Sequence, residues 1–207
     1  MVRLDHVVYA VADLEAAAER WRRELGLDSV AGGRHSGWGT ANRIVPLGET
    51  YVELIGVVDA DEARTSTFGR TMLERTAGGD GWFTVVASTD DLDAVAGRLG
   101  LEITSGSRRR PDGAEIRWRA AGFEDPRREP WMPFFISWEM PFGLHPGRLR
   151  AAHGARVRGI GSVEVGGDAG KLEDWLGGAD LPIRIVEGPR GINAVALTRD
   201  DGDLVIS

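Results

Sequence analysis

The chain has 207 residues, no cysteine and a formal net charge of -7. The absence of cysteine excludes disulfides, thiolate nucleophiles and cysteine-ligated zinc, and the negative charge disfavours a nucleic-acid partner. Near the N-terminus there is no apolar signal core, and no apolar stretch approaches the roughly 20 residues of a membrane span. The sequence therefore predicts a cytoplasmic globular protein with neither a nucleic-acid nor a membrane partner.

Three segments of the chain repeat one pattern: a strand, then an aspartate, then a helix. In each segment the aspartate is placed to cap the helix. The capping residues Asp13, Asp91 and Asp168 are 78 and 77 residues apart, and such a near-constant period is typical of repeated supersecondary units. The predicted helices run from Asp13 to Leu25, from Asp91 to Leu99 and from Asp168 to Leu176.

Short strand candidates follow each helix, so each segment is interpreted as a β-α-β-β-β unit. The predicted fold class is α+β, with repeated βαβββ modules that form a cup-shaped mixed sheet and helices on its outside. In the third unit we expect three strands after the helix, from Ile183 to Val186, from Ile192 to Arg199 and from Leu204 to Ser207. The predicted modules are residues 1–57, 81–139 and 156–207, separated by a helix-containing linker at 58–80 and a second linker at 140–155.

The motifs inside these units resemble a known family. The first unit opens with LDHVVYAV, followed after one residue by DL, and ends with YVELI, which resembles the vicinal-oxygen-chelate superfamily. More narrowly, GGRHSGWGTANRIVPLG from Gly32 to Gly48 is similar to the glyoxalase-like domain, as are FFISWE and the turn around His145. The resemblance implies two modules side by side around a cavity, in a superfamily that contains metal-dependent lyases, isomerases and dioxygenases as well as metal-free drug-sequestering proteins.

The same resemblance implies a metal ligand early in the first strand of a module and a carboxylate in its last strand. Those places hold His6 and Glu53, and strand alternation predicts that both face the cup. One divalent metal, Zn, Fe, Mn or Ni, could bind there, with Glu139 as a candidate third ligand. The alternative is a histidine that is hydrogen-bonded to Glu53 with no metal. In either case His6 and Glu53 are the candidate catalytic residues.

The glycine-rich segment from Gly32 to Asn42 is interpreted as a loop that borders the cavity. Its glycines permit close backbone approach, and polar and aromatic side chains lie between them. The candidate substrate-binding residues are His35, Trp38, Thr40, Asn42 and, in a Pro-Gly turn, His145. By contrast, the basic run from Arg108 to Arg110 is interpreted as a solvated loop, because Pro111-Asp112-Gly113 follows it.

Two functions remain open at this level. The first is a glyoxalase-like enzyme of the lyase, isomerase or dioxygenase type, acting on a small polar metabolite with or without a metal. The second is a metal-free protein that binds or sequesters a small molecule. Because two modules complete one cup, the third either packs on the same chain or pairs with its copy in a homodimer.

Overall fold

A computed structural model describes all 207 residues. Its eleven strands and five α-helices follow the predicted order of units. The strands are β1 Val2–Ala10, β2 Val30–His35, β3 Thr40–Leu47, β4 Thr50–Val57, β5 Gly81–Thr89, β6 Ile103–Arg109, β7 Glu115–Ala121, β8 Phe134–Trp138, β9 Gly159–Gly166, β10 Ile183–Thr198 and β11 Leu204–Ile206. The helices are α1 Leu14–Arg20, α2 Ala60–Arg64, α3 Thr67–Ala77, α4 Leu92–Leu99 and α5 Ala169–Leu176.

The first two units close into one barrel. Its strand order is β1-β4-β3-β2-β6-β7-β8-β5, so each unit supplies four neighbouring strands. The units join where β1 pairs antiparallel with β5, and where Arg34 of β2 lies opposite Arg109 of β6. The predicted curved α+β sheet is confirmed, and its curvature is complete enough to enclose an interior.

Aspartate caps begin the repeated helices, as predicted. The carboxylate of Asp13 accepts hydrogen bonds from the backbone N–H groups of Glu15 and Ala16, and Asp91 and Asp168 cap α4 and α5 in the same way. These bonds satisfy N–H groups that have no partner within the helix. After α1 the helix widens into a π-helical turn, Trp21–Leu25, and ends at Gly26 with φ of 66°.

Apolar side chains form two separate cores because successive residues of a strand face opposite sides of the barrel. Val7 and Leu54 belong to the outer core, which packs against the helices and the third unit. Val8 and Ile55 belong to a smaller core inside the barrel. The alternation predicted for β1 and β4 is therefore present, and it directs His6 and Glu53 into the barrel.

The third unit packs on the barrel of the same chain. The Trp175 indole of the third unit donates a hydrogen bond from Nε1 to the Pro133 carbonyl at 2.7 Å. In the other direction, the Trp82 indole of the barrel donates to the Ile206 carbonyl at 3.1 Å. The unit has three strands rather than the expected four. A single long strand, β10, replaces the two predicted from Ile183 and from Ile192, and it bends so that both Ile183 and Val195 lie opposite Val163.

Two local predictions differ from the structure. The glycine-rich segment is not a loop throughout, since Val30–His35 forms β2 and only the residues before Thr40 make the turn. Arg108 does not lie in a solvated loop, because β6 continues through Arg109 and the Arg108 side chain is buried. In both places antiparallel pairing within a module, of β2 with β3 and of β6 with β7, forms a strand in a sequence that resembles a turn. No helix has the length and apolar character needed to cross a membrane.

Candidate active site

The barrel encloses a cavity of about 590 Å³, a size that suits a small organic molecule. Polar and charged side chains reach it from β1, β3, β4 and β6. Three further carboxylates, Glu102, Glu124 and Asp125, also line it. Aromatic rings cover another part of the wall, from Trp38, Phe68, Phe83, Trp118, Phe123, Phe134 and Trp138. The interior therefore combines a cluster of ionisable groups with flat apolar surfaces.

A buried histidine–aspartate pair supports one side of the ionisable cluster. The Nδ1–H of His6 donates to Oδ1 of Asp5 at 2.7 Å, and both residues are almost fully buried. The other carboxylate oxygen of Asp5 accepts from the indole Nε1–H of Trp138 at 2.9 Å. With Nδ1 engaged, the His6 ring is fixed so that Nε2 is the nitrogen available to the cavity.

Glu53 faces His6 across the cavity wall. Its Oε2 lies 3.4 Å from His6 Nε2, and its Oε1 accepts a hydrogen bond from the Asn42 side-chain amide at 2.6 Å. Asp5, His6, Glu53 and Asn42 thus form one continuous polar chain, to which β1, β3 and β4 contribute. Of the predicted residues, the structure brings together His6, Glu53 and Asn42.

The charge states of this chain follow from competition between burial and hydrogen bonding. Burial favours the uncharged forms of Asp5 and Glu53, but hydrogen bonds from histidine outweigh it and hold both carboxyl pKa values low, that of Glu53 at about 2. Burial also disfavours the His6 cation, but its bonds to the two carboxylates raise the His6 pKa. The two carboxylates therefore stabilise the protonated form of the imidazole that lies between them.

Tyr51 adds a flat surface beneath the histidine. Its ring is stacked on His6 with a centroid distance of 4.2 Å and an interplanar angle of 16°. Burial, together with nearby Asp5 and Glu53, raises the Tyr51 pKa well above its usual value. The phenol therefore stays neutral and can donate a hydrogen bond in the cavity.

The predicted residues His35, Trp38 and Thr40 form a neighbouring cluster. His35 Nδ1 and the Thr40 hydroxyl lie 3.0 Å apart, and Trp38 packs against Phe68 of α3 with ring centres 4.7 Å apart. His35 and Trp38 line the cavity, whereas Thr40 lies behind His35. Burial lowers the His35 pKa to about 4, a shift in the opposite direction to that of His6.

His145 does not line the cavity. The Gly147 backbone N–H donates to its Nδ1, and this leaves the hydrogen on Nε2, which lies 3.3 Å from Oδ2 of Asp5. The structure therefore gives this residue a supporting position behind Asp5 instead of the predicted contact with substrate. Its Pro-Gly turn carries the ring beneath the barrel, where it also packs against Tyr51.

The ionisable groups do not fit a three-ligand metal centre. His6 and Glu53 meet, but no group of three histidine, aspartate or glutamate side chains is arranged to hold a metal. Glu139 is exposed and does not line the cavity, because it follows the inward-facing Trp138 and alternation turns it outward. The matching strand of the second unit offers Thr84.

The glyoxalase-like domain model matches residues 4–177, and the chain belongs to that family. Among solved structures, a hypothetical protein from Staphylococcus aureus is 18% identical with a TM-score of 0.68, over 99% of this chain and 84% of that chain. Methylmalonyl-CoA epimerase from Mycobacterium tuberculosis is 24% identical with a TM-score of 0.46, over 65% of this chain and 85% of that chain. No curated protein matches the sequence. The Staphylococcus protein shares the fold over nearly the whole chain.

Proposed function

We propose that the protein is an enzyme that moves a proton on a small polar metabolite, with Glu53 as general base and His6 as general acid. The observation that supports this is the facing pair of Glu53 Oε2 and His6 Nε2 in the cavity wall, with Asp5 behind the histidine. Buried ionisable groups with shifted pKa values in a cleft are typical of catalytic sites. A purely structural role would not require His6 and Glu53 to line a cavity.

The two groups divide one proton transfer between them. The Glu53 carboxylate takes a proton from a carbon next to a carbonyl group, and the C–H bonding electrons move towards the carbonyl oxygen. The Nε2–H of His6 then donates to that oxygen as its negative charge develops. Returning the proton to the same or a neighbouring carbon completes an isomerisation, which is one of the reaction types that the family resemblance implies.

The length of the His6–Glu53 contact favours this role. At 3.4 Å it is longer than an ordinary charge-assisted hydrogen bond of about 2.7–2.9 Å. A substrate that enters between the two groups would weaken the contact that holds the Glu53 pKa low. Glu53 would thereby become a stronger base when substrate is bound.

Deuterium exchange tests the proposal without knowledge of the product. Small carbonyl compounds that bind the protein are incubated with it in deuterium oxide, and loss of the C–H signal is followed by NMR. We expect exchange with the unaltered protein and a fall of at least about a hundredfold in Glu53→Gln. Glu187→Gln, an exposed change in the third unit, is the matched control. Exchange at an equal rate in Glu53→Gln would contradict the proposal.

The aromatic wall supports a second candidate, a metal-free protein that binds a flat apolar compound without reaction. Trp38, Trp118 and Phe123 provide faces on which such a ligand can stack. The same experiment distinguishes the two functions. Compounds that bind tightly while no C–H signal exchanges would favour the binding protein.

A further inference from the structure

Arg108 carries a positive charge into the cavity without a carboxylate partner. Its side chain lines the cavity and the residue is only 4% exposed. No aspartate or glutamate oxygen lies within 4.0 Å of it. Buried charges are normally paired, so this arginine is an exception that calls for an explanation.

The backbone around Arg108 holds its guanidinium in place. One Nη1–H donates to the Gly32 carbonyl, which lies on β2 across the junction of the two modules. No other hydrogen bond within the protein uses its remaining N–H groups, although a guanidinium has five. Burial of the charge lowers the Arg108 pKa, which reflects the unfavourable desolvation that a bound anion would relieve.

We propose that Arg108 binds a carboxylate group of the ligand and thereby defines the substrate as a small organic acid. This inference rests on the proposed function only for the location of the substrate. The free N–H groups form the planar fork that matches a carboxylate. Arg108 and Glu53 then have separate tasks, since one holds the anionic group and the other removes the proton.

A carboxylate suits the cavity better than a phosphate. Arg108 is the cavity's one cation apart from His6, and His6 is already paired with two carboxylates. A phosphate ester carries a charge of about −1.5 to −2 at neutral pH. The charge beyond the first would lie near the ionised Glu53, with no further cation to balance it. The single fork of Arg108 matches a monoanion.

The walls beside Arg108 indicate an apolar body for the acid. Gly106, two residues earlier on β6, lies under the Trp118 indole, where an added Cβ would approach Cε2 to 2.5 Å. The glycine therefore lets the indole lie flat against the strand. An acid with an aryl or other flat group would place its carboxylate on Arg108 and its body along Trp118.

Three probes that differ in charge isolate this contact. Phenylacetate, phenylacetamide and phenyl phosphate are compared by calorimetry or ligand-observed NMR. We expect phenylacetate to bind the unaltered protein at least about tenfold more tightly than phenylacetamide. In Arg108→Gln the affinity for phenylacetate should fall by about tenfold to a hundredfold, while the affinity for phenylacetamide changes little. Arg108→Lys, which keeps the charge without the fork, should lie between.

Arg109→Gln is the control, because it removes the same charge from the next residue, whose side chain is exposed. Equal affinity of the unaltered protein for acid and amide would overturn the inference even if Arg108→Gln failed to fold. Equal loss of both ligands in Arg108→Gln would also overturn it, and tighter binding of phenyl phosphate would reassign the site to phosphate esters. These experiments measure binding alone. Their outcome therefore tests the role of Arg108 even if the protein transfers no proton.

Discussion

Asp5 and His6 are consecutive residues of β1, yet Oδ1 of Asp5 accepts a hydrogen bond from Nδ1 of His6 at 2.7 Å. Neighbours on a regular strand point to opposite faces. The register between β1 and β5 shifts between Leu4 and His6, and this irregularity brings Asp5 beside the histidine. The acid thereby supports His6 from behind without itself lining the cavity.

Replacing Asp5 with asparagine should destabilise the protein and lower the His6 pKa. The amide side chain would keep an oxygen of the right shape but would lose the charge that offsets burial of the imidazolium. We expect a loss of about 1–3 kcal/mol in the free energy of unfolding, measured by urea denaturation. Asp93→Asn, which removes an exposed ion pair with Arg119, should change it by less than about 1 kcal/mol. Similar losses in both variants would contradict the supporting role.

Replacing Asn42 with alanine should impair ligand binding and proton transfer more than folding. The Asn42 amide donates to Glu53 Oε1 at 2.6 Å, while its Oδ1 is buried without a partner. Alanine therefore removes an unsatisfied acceptor together with the useful donor, and we expect only about 0.5–1.5 kcal/mol of lost stability. Without the amide Glu53 is less well oriented, so the exchange rate should fall by about tenfold or more. A variant that loses stability but binds normally per folded molecule would refute this.

Acidification should destabilise the protein partly through His35. Burial lowers its pKa from 6.5 to about 4 in the folded protein, so the unfolded chain binds the proton more readily. Its stabilising contribution is present above pH 6.5 and is lost as the pH falls towards 4, with a slope of at most about 1.4 kcal/mol per pH unit. In His35→Gln the free energy of unfolding should fall less steeply over that range. An unchanged slope would show that His35 titrates normally.

Adding a methyl group at Gly106 should disturb the cavity wall. Because the new Cβ would lie 2.5 Å from Trp118, the indole must move, and we expect Gly106→Ala to lose about 1–3 kcal/mol of stability together with affinity for phenylacetate. Gly97→Ala is the control, since nothing lies within 4 Å of its added Cβ in α4. That change should stabilise the helix by about 0.5–1 kcal/mol. Equal effects would indicate that Trp118 does not depend on Gly106.

The family resemblance pointed to the central pair of the site, and strand periodicity predicted that both side chains face inward. His6 and Glu53 occupy inward positions of two strands that lie side by side in the barrel, and Asn42 reaches them from β3. Asp5 could not be found in this way, because a register shift breaks the alternation on which the prediction depends. The capping aspartates were predictable because their effect is local.

Strand pairing accounts for two further features that the sequence could not predict. Arg108 lies in a basic run before a turn, which is typical of a solvated loop. It is buried because β6 continues through Arg109 and directs the Arg108 side chain into the barrel. The third unit was predicted to have four strands, but β10 continues as one strand across the end of β9. Such long-range pairings leave little local trace in composition or spacing.

The protonation of His6 tests the account most directly. With four histidines in the chain, isotope-labelled histidine gives ring signals that NMR can assign by single substitutions. We predict that His6 is protonated at neutral pH, that His35 is neutral in the same sample, and that Glu53→Gln lowers the His6 pKa because one of its two carboxylate partners is lost. A His6 ring that is neutral at neutral pH, or whose pKa does not respond to Glu53→Gln, would contradict the proposed acid–base pair.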